Sequence, residues 1–420
     1  MNNNDTVIRI VKTYIWIIFL IPTFWGFTPG SNTLGQLFVS FFLFLFVIFS
    51  TLYVRKKIKF IKSYFLLFFL QITSYSITLG IRQTDLFSGI SLSDYTDISR
   101  PVLYLFAISF PFSLDLKQED VLKITRTIVK VSLLVALFDI IKLFPQGETI
   151  MKLYTPLKPS SFNYQRLSGT FAYCYNYGFI LILDLLLILY YSNHKLIYSL
   201  FTIILIFLTG SRSVLIATIM ALFLYFVISP RSILSKISII AVASVSIIVL
   251  YGLISSLEIP IIQDITTNID KLLSIADNGI SADGSAATRG RQIEVVFKNF
   301  HTSPICGSGP LKESAAPIEI QFGYYLSAWG ILGLCIILSL LFMTIYYSYK
   351  TIKISSDDSV SFSKANLIWI ISGVFVGMST PITDQIRVFQ LYYLVQGIQF
   401  CIYYQNKKSY SMVQKDLVLT

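Results

Sequence analysis

The sequence predicts an all-helical protein that crosses a membrane about twelve times as a single integral domain, residues 1–420. The chain is 55% hydrophobic and only 13% charged, which excludes an ordinary soluble globular protein. The mean hydropathy is +0.70, and hydrophobic runs of spanning length follow one another along the chain. The predicted spans are 12–28, 34–54, 63–80, 100–114, 126–144, 172–192, 195–209, 212–229, 237–256, 321–346, 365–382 and 387–405.

The lysines predict which side of the membrane each loop occupies. If the N-terminus is cytoplasmic, most lysine clusters lie inside, as the positive-inside rule requires, and the C-terminus is cytoplasmic as well. The net charge of +11 then serves orientation and does not indicate nucleic-acid binding. The first span has no small-residue cleavage site and is expected to be retained. The main inside clusters are 55–62, Lys350 and Lys353, and Lys407 and Lys408, and the longest outer loops are 145–171 and 257–320.

Arginine is distributed differently from lysine. Several arginines fall on the outer side, where orientation does not require them. Because a guanidinium presents a fixed fork that matches phosphate or carboxylate oxygens, this distribution predicts an anionic substrate at the outer leaflet. The alternative is pairing with outer acids such as Asp94 and Asp97, or of Asp384 with Arg387 three residues later. The outer arginines are Arg82, Arg100, Arg166, Arg212, Arg289, Arg291 and Arg387.

The loop 257–320 contains a segment with a helical pattern. Apolar residues recur there at the spacing of one helix face, which predicts a helix over 289–300 with Arg289 and Arg291 at its start. A helix N-terminus with two guanidinium groups is a good site for a phosphate or diphosphate. The alternative is a surface helix whose basic residues meet lipid headgroups. The predicted apolar face comprises Ile293, Val296, Phe297 and Phe300.

Other kinds of site are not indicated. The four cysteines are scattered and the two histidines lie far apart, so we expect no metal site. The outer loops contain no Asp-x-Asp pair and the chain has no Walker-type loop, so nucleotide substrates are not indicated. Two acids, Asp139 and Asp184, fall within predicted spans and are functional candidates by position. A structural role is favoured for both, with Lys142 as a local partner for Asp139.

Three ordered motifs resemble those of a known family. They are RLSGTFAYCYNYG (166–178), LTGSRSVLIA (208–217), and a segment from Arg289 through HTSPICGSG (301–309) that leads into SAWGILG (327–333). In this order and on this topology, they resemble the O-antigen polymerase and O-antigen ligase superfamily of bacterial membranes. The resemblance covers residues 160–400, and the N-terminal spans contribute only their hydropathy.

The resemblance implies a glycosyltransferase of the GT-C type in the bacterial inner membrane, with its long loops in the periplasm. Its substrates would be undecaprenyl-diphosphate-linked glycans, and a chain-length regulator protein is a candidate partner. The polymerase (Wzy) branch adds a growing glycan to a new lipid-linked repeat unit, whereas the ligase branch transfers it to lipid A–core. Ligases are expected to have a histidine after the Gly-x-Gly. The segment 310–330 has none and His301 precedes the glycines, which favours the polymerase.

The implied reaction is an inverting transfer in which undecaprenyl diphosphate leaves, without a metal or another cofactor. The developing negative charge calls for fixed cations. The general base is open. Glu294 is a candidate but also a partner for Arg291, and for His301 a role as the cap of its helix is favoured over a base. Glu313 and Glu319 are alternatives, and a good leaving group is the further alternative that makes a strong base unnecessary. The catalytic candidates are Arg289, Arg291, Arg212, His301 and Glu294, and the substrate-binding candidates are Arg166, Arg387, Tyr173 and Asn176.

A transporter or flippase of lipid-linked glycans is the alternative from another functional class. It would share the membrane fold and the outer arginines. It predicts a charged central cavity within the spans, whereas the charges of this sequence are concentrated in the outer loops.

Overall fold

A computed structural model describes residues 3–21, 31–84, 92–143, 166–171, 173–229, 241, 284–310, 318–355, 358–378, 380, 382 and 385–419. Within these residues the chain is helical and contains no strand. The predicted span 237–256 lies outside the described residues apart from Ala241, and so do the loop segments 145–165 and 257–283.

The α-helices of the described residues overlap the other predicted hydrophobic runs, although several begin up to nine residues earlier, and one further helix lies in the loop 257–320. Two short 3-10 helices, Gln118–Asp120 and Ile140–Leu143, flank the fifth helix. The α-helices are α1 (Asn3–Leu20), α2 (Ser31–Tyr53), α3 (Lys62–Thr84), α4 (Leu92–Ser113), α5 (Val121–Asp139), α6 (Cys174–Tyr191), α7 (Lys195–Leu208), α8 (Arg212–Ile228), α9 (Gly284–Thr302), α10 (Gln321–Ile354), α11 (Asp358–Gly377) and α12 (Ile386–Leu419).

Four of these helices contain a segment that is long and apolar enough to cross a membrane: Lys62–Arg82, Cys174–Tyr191, Gln321–Ile354 and Ser359–Gly377. Shorter apolar helices occur at Phe38–Tyr53, Lys195–Leu208 and Arg212–Ile228. Together with the composition, these helices identify a membrane protein. Twelve crossings remain a prediction.

Helix α6 lies at the centre of the bundle. Its residues from Phe179 to Leu189 are all buried, and it packs against α5, α7, α8 and α11. A helix that is hydrophobic on all sides is stable only when neighbours surround it, which explains the nearly unbroken apolar run of this segment. A second close pair is α4 with α12, and α10 packs along α3, α11 and α12.

Cationic side chains lie at both ends of the bundle. Helices α6 and α8 begin, and α7 ends, at the end that we call the arginine end because Arg166 and Arg212 lie there. At the opposite end, which we call the lysine end, Lys56 and Lys59 donate to Asp115 at 2.7 and 2.6 Å. This pair of ion pairs connects the turn after α2 with the turn after α4.

Helix α10 is broken at Gly330, where the backbone adopts φ 63° and ψ −164°. The segment 303–309, which we call the glycine loop, pairs with this break. The N–H groups of Ser308 and Gly309 donate to the carbonyls of Ser327 and Ala328 at 2.9 and 2.8 Å. In return, Ile331 donates to Pro304 at 2.9 Å and Leu332 to Ile305 at 3.4 Å. The pairing satisfies backbone groups that the break would otherwise leave without partners.

Two glycines make this close approach possible. A Cβ on Gly330 would lie 2.3 Å from the carbonyl oxygen of Ile305, and a Cβ on Gly307 would lie 2.4 Å from the Gly330 nitrogen. Both glycines have positive φ values, a conformation that other residues rarely adopt. The two motifs that the sequence separates, ICGSG and SAWGILG, are therefore one structural unit.

Candidate functional site

Three arginines from separate segments converge at the arginine end, and we call them the arginine cluster: Arg166, Arg212 and Arg289. The Arg212 guanidinium, at the first residue of α8, interacts electrostatically with the positive charges of Arg289 and Arg166. Arg212 therefore lies within electrostatic range of both. Like charges close to one another repel, and an anion beside them would reduce that repulsion.

Arg166 is buried, with 5% of its surface exposed. Its side chain covers Gly210, where a Cβ would lie 3.2 Å from the Arg166 Nε, and it hydrogen-bonds to Cys174 at the start of α6. The next residue, Leu167, donates its N–H to the carbonyl of Leu208 at 3.0 Å. Arg166 is thus fixed between the end of α7 and the beginning of α6.

The turn after Arg166 is held by Asp139 at the end of α5. Its Oδ2 atom accepts the N–H groups of Ser168 and Gly169, both at 2.7 Å. This agrees with the structural role favoured for Asp139, although the partner is a backbone turn. The side chain of Lys142, the predicted partner, lies outside the described residues. The other predicted acid, Asp184, is fully buried in α6 near Ser132.

Replacement of Asp139 by alanine is expected to destabilise the protein. Two buried backbone N–H groups would lose their acceptor, at a cost of about 1–3 kcal/mol each. Asp139→Asn keeps one acceptor oxygen, so it should reduce the stability of the protein less than Asp139→Ala. The thermal unfolding temperature of the purified protein in detergent tests this order, and equal stability of wild type and Asp139→Ala would contradict the role assigned to this carboxylate.

Helices α6 and α8 both begin beside the arginine cluster. The side chains of their N-cap residues, Tyr173 and Ser211, make no capping hydrogen bond to the helix, and the Ser211 hydroxyl instead lies 3.2 Å from the Ser213 hydroxyl. The first N–H groups of a helix have no partner within the helix and carry a partial positive charge. The two helix starts therefore add to the positive potential of the cluster.

Arg289 is carried by α9, which is fixed to the start of α10 by side-chain contacts. The Asn299 amide donates to the Ser327 hydroxyl at 2.8 Å, and Gln292 Oε1 accepts the N–H of Glu319 at 3.1 Å. The Arg289 guanidinium lies 3.8 Å from the Glu319 carboxylate, and 31% of its side chain is exposed. Arg289 thus faces the bundle and retains a solvent-accessible surface.

The structure of α9 differs from the prediction in its start and in its packed face. The helix begins at Gly284, so Arg289 lies in the second turn, and the expected helix N-terminus is not at this arginine. Val296 is buried as predicted, but Ile293 and Phe297 are 46% and 53% exposed. Polar side chains occupy the packed face instead, because Gln292 and Asn299 hydrogen-bond to the start of α10.

The structure separates Arg289 from the other candidates on this helix. Arg291, Glu294 and His301 are exposed, and at about 100° per residue they lie on the side of α9 away from the packed face. Arg291 makes a long contact of 3.4 Å with the Thr288 hydroxyl of its own helix. Of the four predicted residues on this helix, the tertiary fold brings only Arg289 close to Arg212.

Arg387 fixes backbone segments to one another. Its guanidinium donates to the carbonyl oxygens of Ile21 and Thr170 and lies 4.7 Å above the ring of Phe171. Asp384, its predicted partner, lies outside the described residues. Arg387 therefore supports the loop that carries Arg166. Its contacts to backbone carbonyls could not be predicted from the spacing of residues in the sequence.

Arg82 and Arg100 are buried next to acids, which is the alternative that the sequence left open. Arg100 forms an ion pair with Asp97 at 2.9 Å, and Asp97 also accepts the hydroxyl of Tyr324 at 2.7 Å. Arg82 interacts electrostatically with Asp94. Arg82 also packs on the glycine loop, where a Cβ on Gly309 would lie 2.4 Å from its Nη1.

The two remaining substrate-binding candidates have different environments. Asn176 is fully buried in the first turn of α6. Tyr173 is half-buried and stacks on Tyr175, with ring centroids 5.1 Å apart and an interplanar angle of 7°. Tyr175 hydrogen-bonds to Thr380 and interacts electrostatically with Glu319. Tyr173 and Tyr175 thus form an aromatic surface close to the carboxylate that contacts Arg289.

An apolar crevice runs between α6, α10, α11 and α12. It extends from Gln321 and Ile382 at the arginine end to Leu340 and Ile370 within the bundle. Gln321 follows Glu319 by two residues, so the crevice begins next to the contact of Glu319 with Arg289. Within the described residues, no group of three or more His, Cys, Asp or Glu side chains could hold a metal ion.

Comparison with known protein families gives a match in the middle part of the chain. Residues 197–331, roughly a third of the chain, match the family model described as O-antigen ligase. The matched segment contains Arg212, Arg289, the glycine loop and the break in α10. No curated protein matches the chain at a significant level. The family match fits the polymerase and the ligase equally, and it supports the assignment of this chain to the O-antigen polymerase and ligase superfamily.

Proposed function

We propose that this protein polymerises undecaprenyl-diphosphate-linked oligosaccharide repeat units at the periplasmic face of the bacterial inner membrane. In this proposal it is a GT-C-type transferase with twelve crossings and cytoplasmic termini. The observation that carries the proposal is the arginine cluster, in which Arg166, Arg212 and Arg289 come together from three separate segments. A lipid diphosphate is an anion that such a cluster, beside a membrane bundle, is suited to bind.

The chemistry of the transfer explains why cations are needed. A hydroxyl of the acceptor sugar attacks the anomeric carbon of the donor with inversion, and the bond to the diphosphate oxygen breaks. Negative charge grows on the leaving diphosphate, and preorganised cations stabilise that charge. Arg212 and Arg289 are the proposed catalytic cations, and Arg166, with the starts of α6 and α8, holds the diphosphate. Arginines can supply this stabilisation without a metal or another cofactor.

The apolar crevice supports a lipid-linked substrate. Its end near Gln321 adjoins the contact of Arg289 with Glu319, and its lining further into the bundle is mostly apolar. This arrangement suits a molecule with an anionic headgroup and a long hydrocarbon tail. The crevice has a volume of about 50 Å³, so it would take only a small part of an isoprenoid chain, with the diphosphate next to the cluster.

The sequence of the segment after the glycine loop favours a polymerase over a ligase. Residues 310–330 contain no histidine, whereas the resemblance leads one to expect a functional histidine there in a ligase. The family description names a ligase, which makes transfer of glycan to lipid A–core the second candidate function. A chain-length regulator is a proposed partner of the polymerase.

Deletion of the gene in its host, followed by gel analysis of the lipopolysaccharide, separates these functions. A polymerase is expected to leave core with a single repeat unit, and the wild-type gene should restore the ladder. Bare core with long glycan retained on the lipid carrier would identify a ligase. An unchanged ladder would exclude both activities in lipopolysaccharide synthesis and direct attention to another surface polysaccharide or to a transporter.

A further inference from the structure

We propose that Glu319 is the general base that accepts the proton of the attacking sugar hydroxyl. The inference rests on the proposed function and assigns the role that the sequence left open. Its basis is the position of this carboxylate, 3.8 Å from the Arg289 guanidinium, with half of its side chain exposed. A base must reach a bound substrate and must also lie beside the group that holds the donor.

Local structure holds Glu319 in this place. Its backbone N–H donates to Gln292 Oε1 at 3.1 Å, which connects it to α9 one turn after Arg289. It lies two residues before the start of α10, and Tyr175 on α6 is within its electrostatic range. Backbone anchoring combined with an exposed carboxylate fixes where the proton acceptor is while leaving it accessible.

The other carboxylates described near the arginine end are placed less suitably. Asp139 accepts two backbone N–H groups, and Asp97 accepts from Arg100 and Tyr324. Asp94 is fully buried beside Arg82. Glu294 is exposed on the side of α9 away from the packed face. Of these described acids, Glu319 alone combines access with contact to the arginine cluster.

Arg289 would serve both reacting partners from this position. The Arg289 guanidinium would contact the donor diphosphate while Glu319 stays beside it, because an ion pair of 3.8 Å leaves donors of the guanidinium for a second anion. Tyr175, which stacks on Tyr173, interacts electrostatically with Glu319, and this aromatic pair would provide an apolar contact for the acceptor sugar. Donor and acceptor would then meet at the carboxylate.

The proposed step balances without another reactant. The acceptor oxygen forms a bond to the donor anomeric carbon while its proton moves to a Glu319 carboxylate oxygen. The bond between the anomeric carbon and the diphosphate oxygen breaks, and its electron pair stays on the leaving diphosphate. Glu319 then releases the proton to solvent, and the carboxylate is ready for the next repeat unit.

The test uses the full-length protein in proteoliposomes and lipid-linked repeat units extracted from the deletion strain. Glu319→Gln keeps the size and hydrogen-bonding capacity of the side chain but removes its ability to take a proton. Turnover should fall by about 100-fold or more, as expected for loss of a general base, while Kd for undecaprenyl diphosphate changes less than about threefold. Glu319→Asp should retain more turnover than Glu319→Gln. Glu119→Gln, an exposed change at the lysine end, is the control.

The outcomes distinguish this inference from the function on which it rests. Turnover of Glu319→Gln within about threefold of wild type would overturn the assignment of Glu319 as the general base, because general acid–base catalysis contributes far more than threefold. Loss of diphosphate binding comparable to that of Arg289→Ala would also overturn it, because Glu319 would then act by positioning Arg289. If wild type itself forms no glycosidic bond, the proposed function falls and the inference with it.

Discussion

Replacement of Arg212 or Arg289 by alanine is expected to reduce polymerisation by a factor of about 10–100 or more. A charge-assisted hydrogen bond contributes about 1.5–3 kcal/mol, and each 1.4 kcal/mol corresponds to a tenfold change in rate. Both residues come from segments that meet only in the folded protein, and both would contact the diphosphate as its charge grows. The effect should appear mainly in turnover, because stabilisation of a developing charge exceeds that of the bound substrate.

Initial rates of glycosidic bond formation, measured with lipid-linked repeat units from the deletion strain, provide the test. Lys298→Ala is the matched control, because it removes an exposed cation from the same helix as Arg289. Arg291→Ala should also have a much smaller effect than Arg289→Ala, since Arg291 is exposed on the other side of α9. Equal losses for Arg289 and Arg291 would contradict the placement of the site.

Replacement of Gly330 by alanine is expected to prevent stable folding of the second half of the chain. The backbone of Gly330, at φ 63° and ψ −164°, lies in a region that essentially only glycine adopts, so another residue there costs about 1–3 kcal/mol, and steric overpacking adds about 1–3 kcal/mol. The new Cβ would lie 2.3 Å from the carbonyl oxygen of Ile305, and both atoms belong to backbone that hydrogen bonds hold in place. The glycine loop would have to leave α10, and α9 with Arg289 would move with it.

The fraction of monodisperse protein after extraction and the thermal unfolding temperature measure this effect. Gly290→Ala is a suitable control, because a Cβ at this helical position has no heavy atom within 4 Å. Removal of a glycine from a helix interior should raise stability by about 0.5–1 kcal/mol. A Gly330→Ala protein as stable as wild type would mean that the loop and α10 are not paired in the membrane.

Several features of the protein followed from the sequence. Hydrophobic runs predicted helices at the described positions, because apolar segments of this length can satisfy their backbone only as helices in a membrane. The order of the three motifs, 166–178, 208–217 and the segment from Arg289 to 333, predicted the superfamily, and the family match supports it. Hydropathy and the order of motifs are both properties of the linear sequence, so they can be determined without knowing the folded structure.

Only the tertiary structure decided which arginines share a site. Seven outer arginines have similar sequence surroundings, but burial and neighbours assign Arg82 and Arg100 to acids and Arg387 to backbone carbonyls. Arg166 and Arg212 come together because α6, α7 and α8 bring their ends together, and Arg289 approaches them because α9 is fixed to the start of α10. The start of α9, which places Arg289 inside the helix, was likewise missed.

The physical reason is the range over which each interaction acts along the chain. Helix formation and membrane partition depend on residues within about twenty positions, so composition and spacing determine them. Ion pairs and loop contacts join residues far apart in sequence, and several partners of equal chemistry compete for each arginine. The folded backbone decides which partner each arginine meets. It places Arg166 over Gly210, and it brings Gly307 against Gly330, which fixes the loop that follows α9.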